Sequence, residues 1–344
     1  MTVCIVTIYR NGNPGSAFQA YALQKVLSEN NDVFFHKYIS PGLKKRKLFL
    51  SVSSSLIRLN FSGAARKIYR YHKFIKFIQR FKELSANDLS EVDCFVLGSD
   101  IIWDLEAKRE NAQIFWGTPF KGKKIISYAA CAANTTPEML AENGITTGSL
   151  EHIKSISVRD EHTKNLIAPL VSIPITMVCD PALLLSADDY EEFNTVTPVS
   201  ERYILIYMFK TLTETAKNEL FAFAKKTNRK IISFTTSAAK LGEIKIPQEP
   251  WSFISYYKNA DFVITDTFHG SIFSIIMQRQ FITIQRGKNK VTDLLNSLHL
   301  NQRLAEDNAG IISSLEKSID WTQPNDALAN IRAHSLKYLK DALQ

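Results

Sequence analysis

The stretch Asp261-Phe262-Val263-Ile264-Thr265-Asp266-Thr267-Phe268-His269-Gly270-Ser271-Ile272-Phe273-Ser274 decides how this chain is read. Its apolar run Phe262–Thr265 predicts a buried strand. A polar turn follows, and the spacing predicts a helix from Gly270 to about Gln278. Another short strand, Phe281–Ile284, comes directly after. Strand, crossover helix and strand in so short a span is the unit from which parallel sheets are built. His269 then falls at a helix N-terminus just after a strand, where the dipole favours the neutral imidazole.

The same alternation extends outward in both directions. Strands at Tyr203–Phe209 and Lys230–Phe234 precede this unit, with helices at about Thr213–Lys226 and Ser252–Lys258. An earlier series has strands at Val3–Ile8, Val33–Lys37, Cys94–Leu97, Lys124–Tyr128, Ser155–Val158 and Thr176–Cys179. Helices are expected at about Ser16–Glu29, with Ser16 as N-cap, and from about Asp160. Between the two series lies the polar run Asp188–Glu201, read as a domain boundary. The expectation is an α/β fold of two Rossmann-like domains, 1–187 and 202–325, with a cleft between them at the carboxyl ends of the strands. A basic helical insertion is expected at about 43–82. A final helix at 326–344 is expected to pack back on the N-terminal domain.

Composition agrees with a globular α/β protein. The chain has 344 residues, 45% hydrophobic and 22% charged, which suits two domains and argues against disorder. No apolar run reaches the roughly 18–20 residues of a membrane span. The first residues read as a strand rather than a secretion signal, so a cytoplasmic protein is expected. Cys4, Cys94, Cys131 and Cys179 are widely spaced, with no CxxC pair and no zinc-type His/Cys spacing, so reduced buried thiols are expected and no metal ligands.

Charge is uneven. The net charge is +8, yet residues 33–82 hold 13 Lys or Arg and no acidic residue, leaving 29 basic against 34 acidic residues, net −5, elsewhere. A chain-wide nucleic-acid surface is therefore not expected. Within the basic segment, Arg66–Lys82 predicts an amphipathic helix with Ile68, Tyr71, Ile75 and Ile78 as its apolar stripe. Such a helix suits either packing on the sheet or contact with an anionic membrane surface.

Chemistry-bearing residues recur just after strands. Asn13-Pro14-Gly15-Ser16 opens a helix whose N-terminus suits an anion or is simply a tight βα turn. Gly98-Ser99-Asp100 reads either as a ligand-facing loop or as a helix cap. Arg159 follows its strand and can grip phosphate or carboxylate, or pair with Asp160, Glu161 or Asp180. Asp180, fixed by Pro181, can orient a hydroxyl or Arg159, or cap the next turn. Arg286, at the carboxyl end of the strand Phe281–Ile284, reads either as an anion-site residue or as a solvated loop charge, whereas Arg279 before the strand is expected to face away.

In order, Asn13–Leu23 (N-x-G-S-x-x-Q-A-Y-A-L), Gly98–Trp103 (G-S-D-x-x-W), Ser157–Asp160 (S-V-R-D), Cys179–Leu185 (C-D-P-A-L-L-L) and Thr265–Phe273 (T-D-T-F-H-G-S-x-F) resemble the polysaccharide pyruvyl transferase family. The resemblance spans about Val3 to Arg286. It implies a GT-B-like pair of Rossmann-type domains. It also implies transfer of pyruvyl from phosphoenolpyruvate to a sugar of a bacterial surface polysaccharide, with phosphate released and no redox cofactor. Many members carry Asn-Tyr-Gly-Asp where this chain has Asn13-Pro14-Gly15-Ser16. On this basis His269 is the expected acid/base, with Asp180 and Asp100 as catalytic carboxylates. Arg159, Arg286, Asn13, Gly15, Ser16, Gly98, Ser99, Tyr128, Thr267, Phe268, Gly270 and Ser271 are expected to bind substrate. The expected partners are phosphoenolpyruvate, a saccharide acceptor, free or lipid-linked, and an anionic membrane through helix 66–82. Alternatives are a nucleotide-sugar glycosyltransferase, with Asp266 or Asp293 on a ribose, or a non-catalytic saccharide-binding member of an assembly complex.

Overall fold

A computed structural model describes residues 1–37, 53, 61–84, 86–196, 198–234, 241–242, 244–246, 249–285, 289–306 and 310–344. Contacts divide the chain into two compact units, Met1–Leu184 with Asn330–Gln344, and Leu185–Ala329.

The first unit contains β1 (Thr2–Val6), α1 (Pro14–Leu27), β2 (Asp32–His36), α2 (Phe61–Ile78), β3 (Glu83–Leu84), β4 (Cys94–Leu97), β5 (Lys124–Ser127), α3 (Pro137–Glu142), β6 (Ile156–Val158), α4 (Glu161–Ile167) and β7 (Ile175–Met177). Among the described residues, five strands form a parallel sheet in the order β3-β2-β1-β4-β5. The β6-β7 pair adjoins it through isolated parallel bridges, Ile126 to Ser155 and Ala130 to Val158. All four residues of β4 and the last four of β1 are buried, as expected for parallel strands covered on both faces. Trp103 is fully buried, stacks on Trp116 at 5.2 Å and donates its indole N–H to the Phe115 carbonyl at 2.8 Å. The tryptophan of Gly-Ser-Asp-x-x-Trp is therefore a core residue.

The second unit contains β8 (Tyr203–Tyr207), α5 (Glu214–Lys226), β9 (Lys230–Phe234), β10 (Ile244–Ile246), α6 (Pro250–Asn259), β11 (Phe262–Thr265), α7 (Phe268–Ile276), β12 (Gln280–Ile284), α8 (Asn289–Ser297), β13 (Leu304–Ala305) and α9 (Ile311–Glu316). Its parallel sheet runs β10-β9-β8-β11-β12-β13. Phe253 anchors one face, stacked on Phe234 at 5.5 Å and edge-on to Phe273 at 5.1 Å. The polar run that begins at Asp188 belongs to this unit, because Tyr190 and Phe193 are fully buried and Tyr190 meets Phe273 at 5.3 Å. The last helix, α10 (Thr322–Leu343), counts with the first unit from Asn330 onward. There the Tyr338 hydroxyl donates to the Ser127 carbonyl at 2.8 Å, and Ser335 Oγ accepts from the Cys179 N–H at 3.0 Å.

Both sheets repeat one winding logic. Strand order reverses between β1 and β4 in the first unit, and between β8 and β11 in the second. At such a reversal the loops leaving adjacent strands diverge, opening a crevice at their carboxyl ends where α/β folds bind ligands.

Some expected boundaries shift for local reasons. The first helix begins at Pro14, not Ser16: Asn13 is its N-cap, accepting from the Gly15 N–H at 2.9 Å, and proline's fixed φ suits the first helical position. The helix expected from Gly270 starts at Phe268, since Thr267 caps it. The strand from Tyr203 stops at Tyr207, where the backbone turns to bond Asp266. In α2, Ile68 does not face the core. Phe74, Phe77 and Ile78 do, joined just beyond the helix by Phe81, because aromatic partners are waiting: Phe18 lies 5.2 Å from Phe77, and Phe35 4.6 Å from Phe81. All four cysteines are free and buried, and burial pushes the thiol of Cys4 up to about 12 and those of Cys94 and Cys179 to about 11. Among the described residues no helix is long and apolar enough to cross a membrane.

Candidate functional site

In the first unit, the loops that leave β1 and β4 are stitched together across the reversal. The Thr7 hydroxyl donates to the Ser99 carbonyl at 2.8 Å, and the Ser16 hydroxyl donates to Asp100 Oδ2 at 2.6 Å. Asn11 Nδ2 in turn donates to Ser16 Oγ at 2.9 Å. Gln19, fully buried in α1, spans Thr7 Oγ1 at 3.2 Å and the Ser16 carbonyl at 2.9 Å. Asp100 caps no helix. It has a positive φ of 71°, which short polar side chains tolerate, and this turns its carboxylate toward Ser16.

Gly98 must be glycine. Its φ is +132°, and a Cβ there would lie 2.0 Å from the Tyr128 carbonyl oxygen. Tyr128 itself is fully buried and its hydroxyl donates to the Cys179 carbonyl at 3.1 Å. It ties the ends of two strands together, and burial raises its pKa well above the usual range.

Arg159, just after β6, has a side chain only 1% exposed. Its Nη1 lies 2.6 Å from Asp180 Oδ2 and its Nη2 3.4 Å from Asp100 Oδ1. Burial alone would lower its pKa. Cys131, Asp180, Asp100 and Asp160 act the other way and win, so the guanidinium stays charged. Asp180 also accepts from the Ala182 N–H at 3.1 Å, serving as turn cap and guanidinium partner at once. Asp160 caps α4 through Oδ1, which accepts from the Thr163 N–H at 2.8 Å and hydroxyl at 2.7 Å. A continuous polar chain thus runs Asn11–Ser16–Asp100–Arg159–Asp180. Asn13, Gly15, Ser16, Gly98, Ser99, Asp100, Arg159 and Asp180 all belong to it or frame it.

In the second unit, Thr265 and Thr267 build the start of α7. The Thr265 hydroxyl donates to the Tyr207 carbonyl at 2.7 Å and accepts from the Thr267 N–H at 3.1 Å, while Thr267 Oγ1 accepts from the Gly270 N–H at 2.9 Å. Ser271 sits 2.8 Å from the Thr283 hydroxyl on β12. His269, the second residue of α7, is 7% exposed. Phe268 beside it lies under Lys290 Nζ at 5.6 Å. Asp266 accepts from the backbone N–H groups of Phe209 and Lys210 at 2.8 and 2.9 Å. It therefore joins the loops after β8 and β11 across this unit's own reversal, and a ribose role would have to compete with those bonds. Arg286 lies outside the described residues.

Gly270 explains why this loop reads Phe-His-Gly. A Cβ there would fall 2.1 Å from Thr265 Oγ1 and 2.5 Å from Thr267 Oγ1, so an alanine must displace the capping hydroxyls. Gly270→Ala should destabilise the second unit by about 1–3 kcal/mol. Urea denaturation would show this, and an unchanged midpoint would mean that the cap tolerates the methyl.

Sequence reading missed Asn11, Gln19 and Asp266 as organisers of these loops. Gln19 carries a visible signal, a lone amide in the otherwise apolar Ala17-Phe18-Gln19-Ala20. Among the described residues, no group of three or more His, Cys, Asp or Glu could hold a metal ion.

Comparisons with solved structures agree on the architecture. UDP-GlcNAc 2-epimerase from Methanocaldococcus jannaschii matches with a TM-score of 0.51 at 13% identity, over 97% of this chain and 99% of that one. The same enzyme from Neisseria meningitidis matches with 0.52 at 11%, over 100% and 99%. The glycosyltransferase of kitacinnamycin matches with 0.51 at 10%, over 100% and 99%. At such identities the likeness is one of fold, a GT-B-like α/β architecture with parallel sheets. No curated protein matches the chain in sequence. The family model described as "Polysaccharide pyruvyl transferase" matches residues 13–287, a span that opens at the Asn13 cap and takes in both strand reversals with Asp100, Arg159, Asp180 and His269. The chain belongs to the polysaccharide pyruvyl transferase family.

Proposed function

We infer that this transferase moves the pyruvyl group of phosphoenolpyruvate onto two hydroxyls of a saccharide, free or lipid-linked, as a cyclic ketal. The reading places the reaction in the cytoplasm, during synthesis of a bacterial surface polysaccharide. The observation that carries it is His269, a buried imidazole at the capped start of α7, in the most distinctive segment of the family resemblance.

The chemistry asks for one proton donor, one acceptor and anion binding. Protonation of the methylene carbon of phosphoenolpyruvate gives an oxocarbenium-like C2. One sugar hydroxyl adds to C2 and loses its proton, the C2–O bond to phosphate breaks, and the second hydroxyl closes the ring. Two C–O bonds form, one breaks, one hydroxyl proton replaces the proton spent on the methyl group, and the other leaves with phosphate. No electrons are transferred to or from the protein. His269 is the group suited to move these protons. Asp100, already an acceptor for the Ser16 hydroxyl, is of the type that orients a sugar hydroxyl. Arg159 supports that role by fixing Asp100 and Asp180.

Calorimetric titration with phosphoenolpyruvate, beside UDP and UDP-sugars, tests the reading. Saturable heat with phosphoenolpyruvate and none with the nucleotides is expected. Binding of a nucleotide sugar with no response to phosphoenolpyruvate would overturn it in favour of glycosyl transfer.

A further inference from the structure

We propose that the outward face of α2 docks this protein on an anionic lipid surface. The helix buries Ala64, Phe74, Phe77 and Ile78, and thereby turns a second set of apolar residues outward: Phe61 is 64% exposed, Ile68 41% and Tyr69 44%. Residues 61, 65, 68, 69, 72 and 76 share one side of an α-helix, so these three lie on a single outward face. Isolated exposed apolar residues are ordinary, but three on one helical face are not.

Charge identifies the occupant. Lys76 is exposed on that same side and Arg66 is exposed on its flank, and residues 61–82 contain seven Lys or Arg and no acidic residue. The chain outside 33–82 has a net charge of −5, so the attraction is local to this segment. Apolar tips set among cations match the boundary between acyl chains and anionic headgroups, where the tips enter and the cations pair with phosphate. A nucleic-acid backbone would use the cations but would give Phe61 and Ile68 nothing to enter.

The helix is also joined to the loop that opens α1, because Arg70 Nη2 donates to the Gly12 carbonyl at 2.8 Å. Residue 70 lies half a turn away from residues 61 and 68, so docking would hold the Asn11–Ser16 segment behind the helix, one helix diameter (~10 Å) from the surface. Its use in reaching a lipid-linked acceptor rests on the pyruvyl-transfer reading, whereas the docking itself does not.

Co-sedimentation of the full chain with vesicles tests it, using phosphatidylcholine alone and phosphatidylcholine with about one third phosphatidylglycerol. The protein should pellet with the anionic vesicles, stay in solution with the neutral ones, and be released by high salt. The double variant Arg66→Gln/Lys76→Gln should weaken binding roughly 25-fold, about fivefold per cation. The triple variant Phe61→Ser/Ile68→Ser/Tyr69→Ser should weaken it at least about tenfold. Because the altered side chains are exposed, both variants should keep the wild-type circular dichroism and the wild-type response to phosphoenolpyruvate. Vesicle binding and donor binding can thus fail independently. Failure of the wild type to pellet with anionic vesicles would overturn the proposal. So would full binding by the triple variant, which would leave only a general polyanion patch.

Discussion

Arg159→Met should cost the protein about 3–5 kcal/mol of stability, because it removes the compensating charge from two largely buried carboxylates. The Arg159 and Asp180 side chains are 1% and 0% exposed, and Asp100 is 8% exposed beside them. With the guanidinium gone, the Ser16 hydroxyl on Asp100 and the Ala182 N–H on Asp180 remain, and neither brings a positive charge. Arg159→Lys should fall between the two, since an ammonium cannot present two donors in the planar fork that spans both partners. The double variant Arg159→Met/Asp180→Asn should recover a large part of the loss, because one of the stranded charges is removed with its partner. Urea denaturation of the three variants would measure these differences. The result that would change the assignment is a loss below about 1 kcal/mol accompanied by weaker phosphoenolpyruvate binding. Arg159 would then hold substrate rather than carboxylates.

That expectation departs from the simplest reading of Ser-Val-Arg-Asp, and the reason lies in sequence separation. From the sequence, Arg159 could face either an anion or one of three nearby carboxylates. Asp180 was among those three, but Asp100 is 59 positions away and its pairing becomes visible only when β4 and β6 are brought together. Ser16 and Asp100, 84 positions apart, were likewise invisible as a pair. Local signals fared better. Three strands, Cys94–Leu97, Lys230–Phe234 and Phe262–Thr265, match their apolar runs residue for residue. Edge strands such as Glu83–Leu84 and Leu304–Ala305, with two residues each, are too short to show any periodicity. In α2 the periodic pattern itself misled. The stripe Ile68–Tyr71–Ile75–Ile78 fits a helix as well as the true core set, and what decided between them was the position of Phe18 and Phe35 elsewhere in the chain.

His269→Gln should lower turnover by about 10²–10⁴-fold while leaving the fold in place. Glutamine approximates the length of the imidazole and keeps a hydrogen-bonding end, but it can neither take nor give a proton at neutral pH. The start of α7 does not depend on the ring, since Thr267 and Gly270 make the cap and Thr265 anchors it to β8. The pH dependence of kcat in the wild type should show a limb that vanishes from the residual activity of the glutamine variant. Phosphate release measured across pH, alongside thermal melts, separates the possible roles. Lost turnover at an unchanged melting temperature assigns proton transfer to His269. Lost turnover with a lowered melting temperature makes it a packing residue of α7, and retained turnover sends the search for the acid elsewhere.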